Sequence, residues 1–357
     1  MNIKELMHEM VKRDASDLFY RAGGSARLRV DGKLVVIDEK ILTIDDVIKA
    51  AEEITTLKQR EFFKDNLDLG FAVYVEELGL RFRVSIFMQR NWPSIVIRRV
   101  NNVTRTFGEL NLPGDVLKKL CMEKGGLVLL TGGMGSGKST AIASMIDYIN
   151  NNSKKHILTI EEPIEFTFKD KESLINQREL GIDVASYPAA LRAFTLQSPD
   201  VLFISNIRDT ETMASALAAA ETGVLVLSTL HTINAVQSVE RIINFFPPHQ
   251  HQEVKNQLST LLKGVISLRL IPTHNSTGRI PAYEVMLLTP TISRLIREGK
   301  IWEIPQYIDE GGVFGMRSFT QSLVKLVKEG KINEEQAIDF ADSKDELLLA
   351  LRGIKKS

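Results

Sequence analysis

The spacing of apolar and polar positions divides the chain into two parts. Ile3, Leu6, Met7, Met10 and Val11 recur at helical spacing, which predicts a short amphipathic helix over residues 1–12. The segments Asp17-Leu-Phe-Tyr, Ala26-Arg-Leu-Arg-Val and Lys33-Leu-Val-Val-Ile then alternate or run apolar as strands do. Asp31-Gly32, between the last two, is a two-residue hairpin signal. Val47, Ile48, Ala51, Ile54 and Leu57, behind an Asp45-Asp46 start, predict one helix over residues 44–65. Three further strands are expected at 70–75, 80–87 and 94–99, so residues 1–100 form a small α+β domain. The polar segment Asn101-Asn-Val-Thr-Arg-Thr has the composition of a hinge, within a linker at 101–108.

From Phe107 onward the pattern changes. Short apolar runs at 127–130, 157–160, 201–204 and 224–227 alternate with helical stretches, which predicts an α/β domain over 109–357 with a mostly parallel sheet covered on both faces. After Pro290 the chain reads as mainly helical, at 291–298, 319–329, 333–341 and 344–351. In such a sheet, chemistry is expected on the loops at the carboxyl ends of the strands.

One of those loops carries a phosphate-binding pattern. The run at 127–130 feeds into Gly132, Gly133, Met134, Gly135, Ser136, Gly137, Lys138, Ser139 and Thr140, and a helical pattern follows to residue 149. Glycines at these positions let consecutive backbone N–H groups turn toward β- and γ-phosphates, Lys138 adds a point charge, and the Ser139 hydroxyl is placed to ligate magnesium. ATP with Mg2+ is the ligand this reading expects.

Composition narrows the alternatives. The 357 residues carry a formal net charge of zero, which argues against a nucleic-acid translocase with a basic surface. The single cysteine, Cys121, excludes an internal disulfide and a four-cysteine zinc site, and in Val116-Leu-Lys-Lys-Leu-Cys121 it reads as a small buried residue. No apolar stretch approaches ~18 residues and no signal-peptide core opens the chain, so the expectation is a cytoplasmic protein with no direct membrane insertion.

Three other strand ends are rich in polar residues. Thr159-Ile-Glu-Glu-Pro-Ile-Glu165 places three carboxylates within five residues, and Glu161 or Glu162 could hold magnesium or polarise an attacking water. The run at 201–204 ends in Ser205-Asn206, where P-loop enzymes generally keep an acidic residue. The fourth ends in Ser228-Thr-Leu-His-Thr232, where His231 could sense a γ-phosphate. In the small domain, Arg81 and Arg83 share one face of a strand and Arg98-Arg99 end the next; packed on a neighbouring copy, they could act as arginine fingers.

With these motifs in view, essentially the whole chain resembles the type IV pilus retraction (twitching motility) ATPases, PilT and its paralogue PilU, within the hexameric secretion ATPases. The resemblance is carried by Arg81-Phe-Arg83, 132–140, 159–165, Ile175-Asn-Gln-Arg-Glu-Leu-Gly-Ile-Asp183, Pro199-Asp-Val201, Arg208-Asp209 and 228–232. Arg241-Ile-Ile-Asn-Phe-Phe-Pro247, Leu262-Lys-Gly-Val265 and Gly315-Met-Arg-Ser-Phe319 look closer to the PilU branch. It implies a PAS-like N-terminal domain, a RecA-like ATPase domain and a homo-hexamer with nucleotide between subunits. The implied partners are an inner-membrane pilus platform protein and a paralogous retraction ATPase, at the inner face of the inner membrane, and the implied output is retraction by pilin removal.

The departures from the family pattern cluster. The family's Walker B strand ends Gly-Glu-x-Arg-Asp, whereas this chain has Ser205-Asn206-Ile207-Arg208-Asp209. Leu196 and Ser198 replace a family Arg and Asp, Glu162 stands for Asp, Val224 for the first of two His, and Thr291-Ile-Ser-Arg-Leu-Ile-Arg297 is a degenerate form of a retraction-associated motif. The phosphate cradle is intact while the hydrolytic side is altered, so the expectation is an ATP-binding motor subunit of weakened turnover; the alternative is a non-hydrolysing ring component acting through a partner motor.

Overall fold

The computed structural model describes residues 2–30, 32–274 and 278–354. The chain clusters into two compact units, Met1–Val103 together with Glu165–Thr167, and Thr104–Ile164 together with Phe168–Ser357.

In the first unit the strands are β1 (Asp17–Arg21), β2 (Ala26–Val30), β3 (Lys33–Asp38), β4 (Asp68–Val75), β5 (Leu80–Gln89) and β6 (Trp92–Arg99). They form one antiparallel sheet in the order β3-β2-β1-β6-β5-β4. Leu18, Leu28, Phe82, Val84, Ile86 and Ile97 form a core with Leu6, Met7 and Met10 of the helix Ile3–Lys12. The β2–β3 turn closes on the pair Val30 and Lys33, with Gly32 at φ 78°, whereas Asp31 of the expected turn lies outside the described residues.

The single helix expected over 44–65 is two helices, Ile44–Ile54 and Leu57–Asn66. Thr55 is extended and Thr56 caps the second helix, accepting from Gln59 N–H while Gln59 returns a bond to Thr56 N–H. A threonine pair competes for backbone donors better than it propagates a helix, and that local competition outweighs the apolar periodicity running across it.

The second unit contains β7 (Gly126–Thr131), β8 (His156–Glu161), β9 (Leu174–Glu179), β10 (Val201–Ile204), β11 (Leu225–Leu230), β12 (Leu262–Pro272) and β13 (Arg279–Leu287), ordered β13-β12-β7-β11-β10-β8-β9. All neighbours are parallel except β12 with β13. Alternate residues of the apolar strands enter different cores: Leu127, Leu129, Leu202 and Ile204 pack on one face, Val128, Leu130, Val201 and Phe203 on the other. Burial on both faces is why these strands read as unbroken apolar runs. Cys121 is fully buried in the second of these cores, and burial pushes its thiol well above the ordinary range.

Beyond β13 lie helices Pro290–Glu298, Ile304–Glu310, Phe319–Lys328, Glu334–Asp339 and Lys344–Leu351. Phe319, Leu323 and Leu347 pack on Ile271, Ile280 and Ala282, which extends the β12–β13 pair into a separate small core. Among the described residues no helix is long and apolar enough to cross a membrane.

Candidate nucleotide site

The second sheet brings four strand ends to one edge. Thr131 of β7 is in register with Leu230 of β11, Ser228 of β11 with Ile204 of β10, and Ile204 with Ile160 of β8. The residues leaving these ends are, across the sheet, the glycine loop 132–137, His231, Asn206, and Glu161 with Glu162.

In the loop, Gly132, Gly135 and Gly137 have φ of 143°, 72° and 96°, conformations that side chains disfavour. Gly132 is further constrained by space, because a Cβ there would lie 2.5 Å from the Leu268 carbonyl oxygen. The loop opens into helix Lys138–Asn152, whose first-turn N–H groups and positive dipole end face the same region. Lys138 Nζ donates to the carbonyl oxygens of Gly132 at 2.7 Å and Gly133 at 2.8 Å, which holds the ammonium at the loop. Ser136 Oγ is buried with no hydrogen-bond partner among the described residues, and a buried hydroxyl of that kind suits a phosphate oxygen. Met134 is 95% exposed, and Ser139 and Thr140 lie on the first helical turn, partly exposed.

Beside Gly137 and Thr140 is a cleft of about 290 Å³ between Leu110, Leu112 and Leu270, with Arg105 and Arg279 on its walls. A lining that mixes leucines with polar and charged groups can hold a nucleoside, with its flat base on the apolar side chains and its sugar hydroxyls on the polar ones. The remaining walls of the cleft come from Arg105, residues 109–112 and strands β12 and β13, segments far from the glycine loop in sequence that the apolar pattern did not connect with it.

Asn206, 8% exposed, is centrally placed. Its amide is assigned with the oxygen toward Arg208, from whose Nε and Nη2 it accepts at 2.6 and 3.0 Å; the reverse assignment would set two donors against each other. The same amide atom is 3.3 Å from His231 Nε2, so the ring carries its proton on Nε2 and donates it. Partial burial, with Lys138 and Arg208 nearby, holds His231 below its ordinary pKa, so the imidazole is neutral at pH 7. Neighbouring Asp209 accepts from Thr212 N–H at 2.8 Å as the N-cap of helix Thr210–Glu221.

The acidic stretch divides three ways. Glu161 is 5% exposed, and its Oε1 accepts from Thr159 Oγ1 at 2.6 Å and Gln177 Nε2 at 3.0 Å. Glu162 is exposed, its N–H donates to Ser205 Oγ at 3.0 Å, and its carboxylate lies 3.5 Å from Arg208 Nη1. The Glu162-Pro163 peptide is cis. Glu165 belongs with Phe166 and Thr167 to the first unit, where its carbonyl accepts from Asn101 N–H at 3.3 Å. Glu161, Glu162, Asn206, His231 and the loop are therefore gathered at one edge, and Glu165 is not.

Arg81, Arg83 and Arg98 lie in the first unit. Arg81 and Arg83 share a face of β5, opposite that of the buried Phe82 and Val84, and Arg83 is directly across from Arg98 on β6. Arg98 Nε donates to Asp17 at 2.7 Å, and Arg29 approaches the same carboxylate at 3.2 Å. Burial pushes Asp17 up, but the Ser16 hydroxyl and Arg98 guanidinium outweigh it and hold the carboxyl below its usual range. Arg98 is thus engaged within its own chain, while Arg83 stands exposed beside it.

Comparison with known proteins gives a consistent picture. The family model described as Type II/IV secretion system protein matches residues 1–338. The chain is 40% identical over 352 residues to the type IV pilus ATPase PilU of Pseudomonas aeruginosa, covering 99% of this chain and 92% of that protein. It is also 40% identical over 341 residues to the type IV pilus retraction ATPase PilT of the same organism, covering 96% and 98%. The crystal structure of the pilus retraction motor PilT with bound ADP superposes with a TM-score of 0.90 at 40% identity, covering 97% of this chain and 98% of that one. Two DotB ATPase structures at 22% identity, with TM-scores of 0.76 and 0.75, share the fold. The chain belongs to the Type II/IV secretion system protein family, among the type IV pilus ATPases represented by PilT and PilU.

Proposed function

We propose that the chain is the ATP-binding subunit of a hexameric type IV pilus retraction motor, of the PilU kind, with hydrolysis slowed at Asn206. The observation that carries this reading is the glycine loop, already shaped as a phosphate cradle with Lys138 held at its mouth, beside a cleft of nucleoside size. The first compact unit serves as the PAS-like module and the second as the RecA-like motor.

In this reading the loop amides, Lys138 and Ser136 bind the β- and γ-phosphates, the nucleoside enters the Arg105 and Arg279 cleft, and Ser139 ligates Mg2+, which would offset phosphate charge. The His231 Nε2–H, which donates to Asn206, turns to donate to a γ-phosphate oxygen when ATP is bound. Glu161 or Glu162 orients the attacking water, and Arg81 and Arg83 of a neighbouring copy stabilise phosphate charge, with Arg98 committed to Asp17. Asn206 accepts from Arg208 but cannot take a proton from water, and loss of a general base typically costs ~10²-fold or more in rate. That neutral amide also favours a second reading, a ring component that binds ATP without useful turnover and regulates a paralogous retraction ATPase. The motor would work in the cytoplasm at an inner-membrane platform protein.

A steady-state phosphate-release assay on the parent, Lys138→Ala and Asn206→Glu tests both readings. Slow turnover in the parent, none in Lys138→Ala and about 10²-fold faster turnover in Asn206→Glu is expected for an impaired motor. Equal, robust rates in the parent and Asn206→Glu would defeat the impairment.

A further inference from the structure

Three polar side chains form one row across the β7, β12 and β13 side of the second sheet, from the carboxyl end of β7 to the edge strand β13. Thr131 on β7 is in register with Ser267 on β12, and Ser267 with Glu284 on β13. Thr131 Oγ1 donates to Ser267 Oγ at 2.9 Å, and Ser267 Oγ to Glu284 Oε1 at 3.5 Å. Thr131 and Ser267 are fully buried, where polar groups are costly unless bonded. The row begins at the residue just before Gly132 and ends beyond the sheet: Glu284 Oε1 accepts the N–H of Ala235 at 2.7 Å.

Ala235 is the first residue of helix Ala235–Asn244 and follows the His231 loop. The residues between are tied together, with Thr232 Oγ1 paired to Ser238 Oγ at 2.6 Å and Ser238 Oγ donating to Asn234 O at 2.6 Å. The Ala235 N–H is therefore a fixed handle on that loop.

We propose that Glu284 is a positioning residue that sets the distance of His231 from the phosphate-binding loop, so that binding of ATP is distinguished from binding of ADP. The inference rests on the nucleotide reading above and adds a residue to it. Hydrophobic replacement would leave the Ala235 N–H unsatisfied and release the loop, while the cradle that holds the β-phosphate would be untouched. A half-buried carboxyl here is otherwise unexplained: desolvation pushes it up to about 7 although the Ala235 N–H acts the other way, and Asp342 adds to the rise while Arg269 opposes it.

Fluorescent-nucleotide titration with Mg2+ present, using ADP and the slow analogue ATPγS, tests this on the full chain. The parent should bind ATPγS more tightly than ADP; Glu284→Leu should lose that preference by about tenfold with ADP affinity within about twofold. Glu284→Gln, whose amide oxygen accepts the same N–H, should restore the preference, and His231→Ala should reproduce its loss. If Glu284→Leu does not fold, Ser267→Ala, which cuts the row at its centre, should weaken the preference in the same direction. A Leu variant that keeps the preference, or weakens both nucleotides equally, overturns the positioning role. A parent that binds both but does not prefer ATPγS also overturns it, whereas a parent that binds neither refutes the nucleotide reading itself.

Discussion

Glu284→Gln should stabilise the second unit at neutral and alkaline pH and leave it nearly unchanged in acid. Burial raises the Glu284 carboxyl from the ordinary glutamate value of 4.5 to about 7, with the Ala235 N–H acting in the opposite sense. Below 4.5 the carboxyl is protonated in both the folded and unfolded chain and contributes no difference. Between 4.5 and 7 the unfolded chain ionises while the folded chain keeps its proton, so the folded state loses about 1.4 kcal/mol per pH unit. Above 7 both are ionised and the loss, about 3 kcal/mol over the whole interval, is complete. The side chain is partly accessible, and screening there lowers the figure to about 2 kcal/mol. Glutamine never ionises and keeps an acceptor for Ala235, so it escapes the loss. The two tryptophans make the measurement local, with Trp92 in the first unit and Trp302 in the second. Urea unfolding followed by Trp302 fluorescence in a Trp92→Phe background should show the Gln variant more stable by under ~1 kcal/mol at pH 5 and about 2 kcal/mol at pH 8. An offset that is constant with pH, or larger in acid, would refute the reasoning.

Gly132→Ala should abolish nucleotide binding, because the new Cβ would meet the Leu268 backbone oxygen at 2.5 Å in a conformation with φ of 143° that alanine resists; a Kd for ADP within about threefold of the parent's would contradict the tight cradle. Gly133→Ala, with open space around the added atom and no positive φ, is the control and should lose less than about tenfold. Cys121, fully buried with its thiol pushed up by burial, should not react with a thiol reagent in the native chain and should react once on unfolding in urea; fast native labelling would show that the core around it is open. Asp17→Ala should release Arg98 and Arg29 and lower stability of the first unit by about 1–3 kcal/mol, read as the Trp92 unfolding transition. No change there would mean that the row of charges is neutral in energy.

Much of this architecture is visible in linear order because it depends on local or nearest-neighbour effects. The strands β7 and β10 are apolar at every position that faces a core, since both sheet faces are covered, and the glycine loop is dictated by backbone conformations that few other residues adopt. By contrast, β9 is an edge strand with Asn176, Gln177 and Arg178 along it, so burial leaves no apolar signature. The β12–β13 pair escaped notice for a related reason: a register shift between Leu262 and Gly264 and the polar residues Ser267, Arg269 and Glu284 interrupt the pattern. The break at Thr55-Thr56 was a contest between capping and periodicity that counting apolar positions does not weigh.

The sequence alone determined that this chain carries a strand, a glycine loop and a helix fit for phosphate, because those are properties of consecutive residues, and its resemblance to the pilus ATPases marked Asn206 as standing where that family keeps an acid. Only tertiary structure decided that Asn206 bridges Arg208 and His231, that Glu165 groups with the first unit, and that Thr131, Ser267 and Glu284 form one row toward Ala235. Such pairings join residues as far as 136 positions apart, as between Thr131 and Ser267. The order of strands in the sheet sets them, and a linear pattern does not encode that order, because each strand's apolar signature is equally satisfied beside several different neighbours.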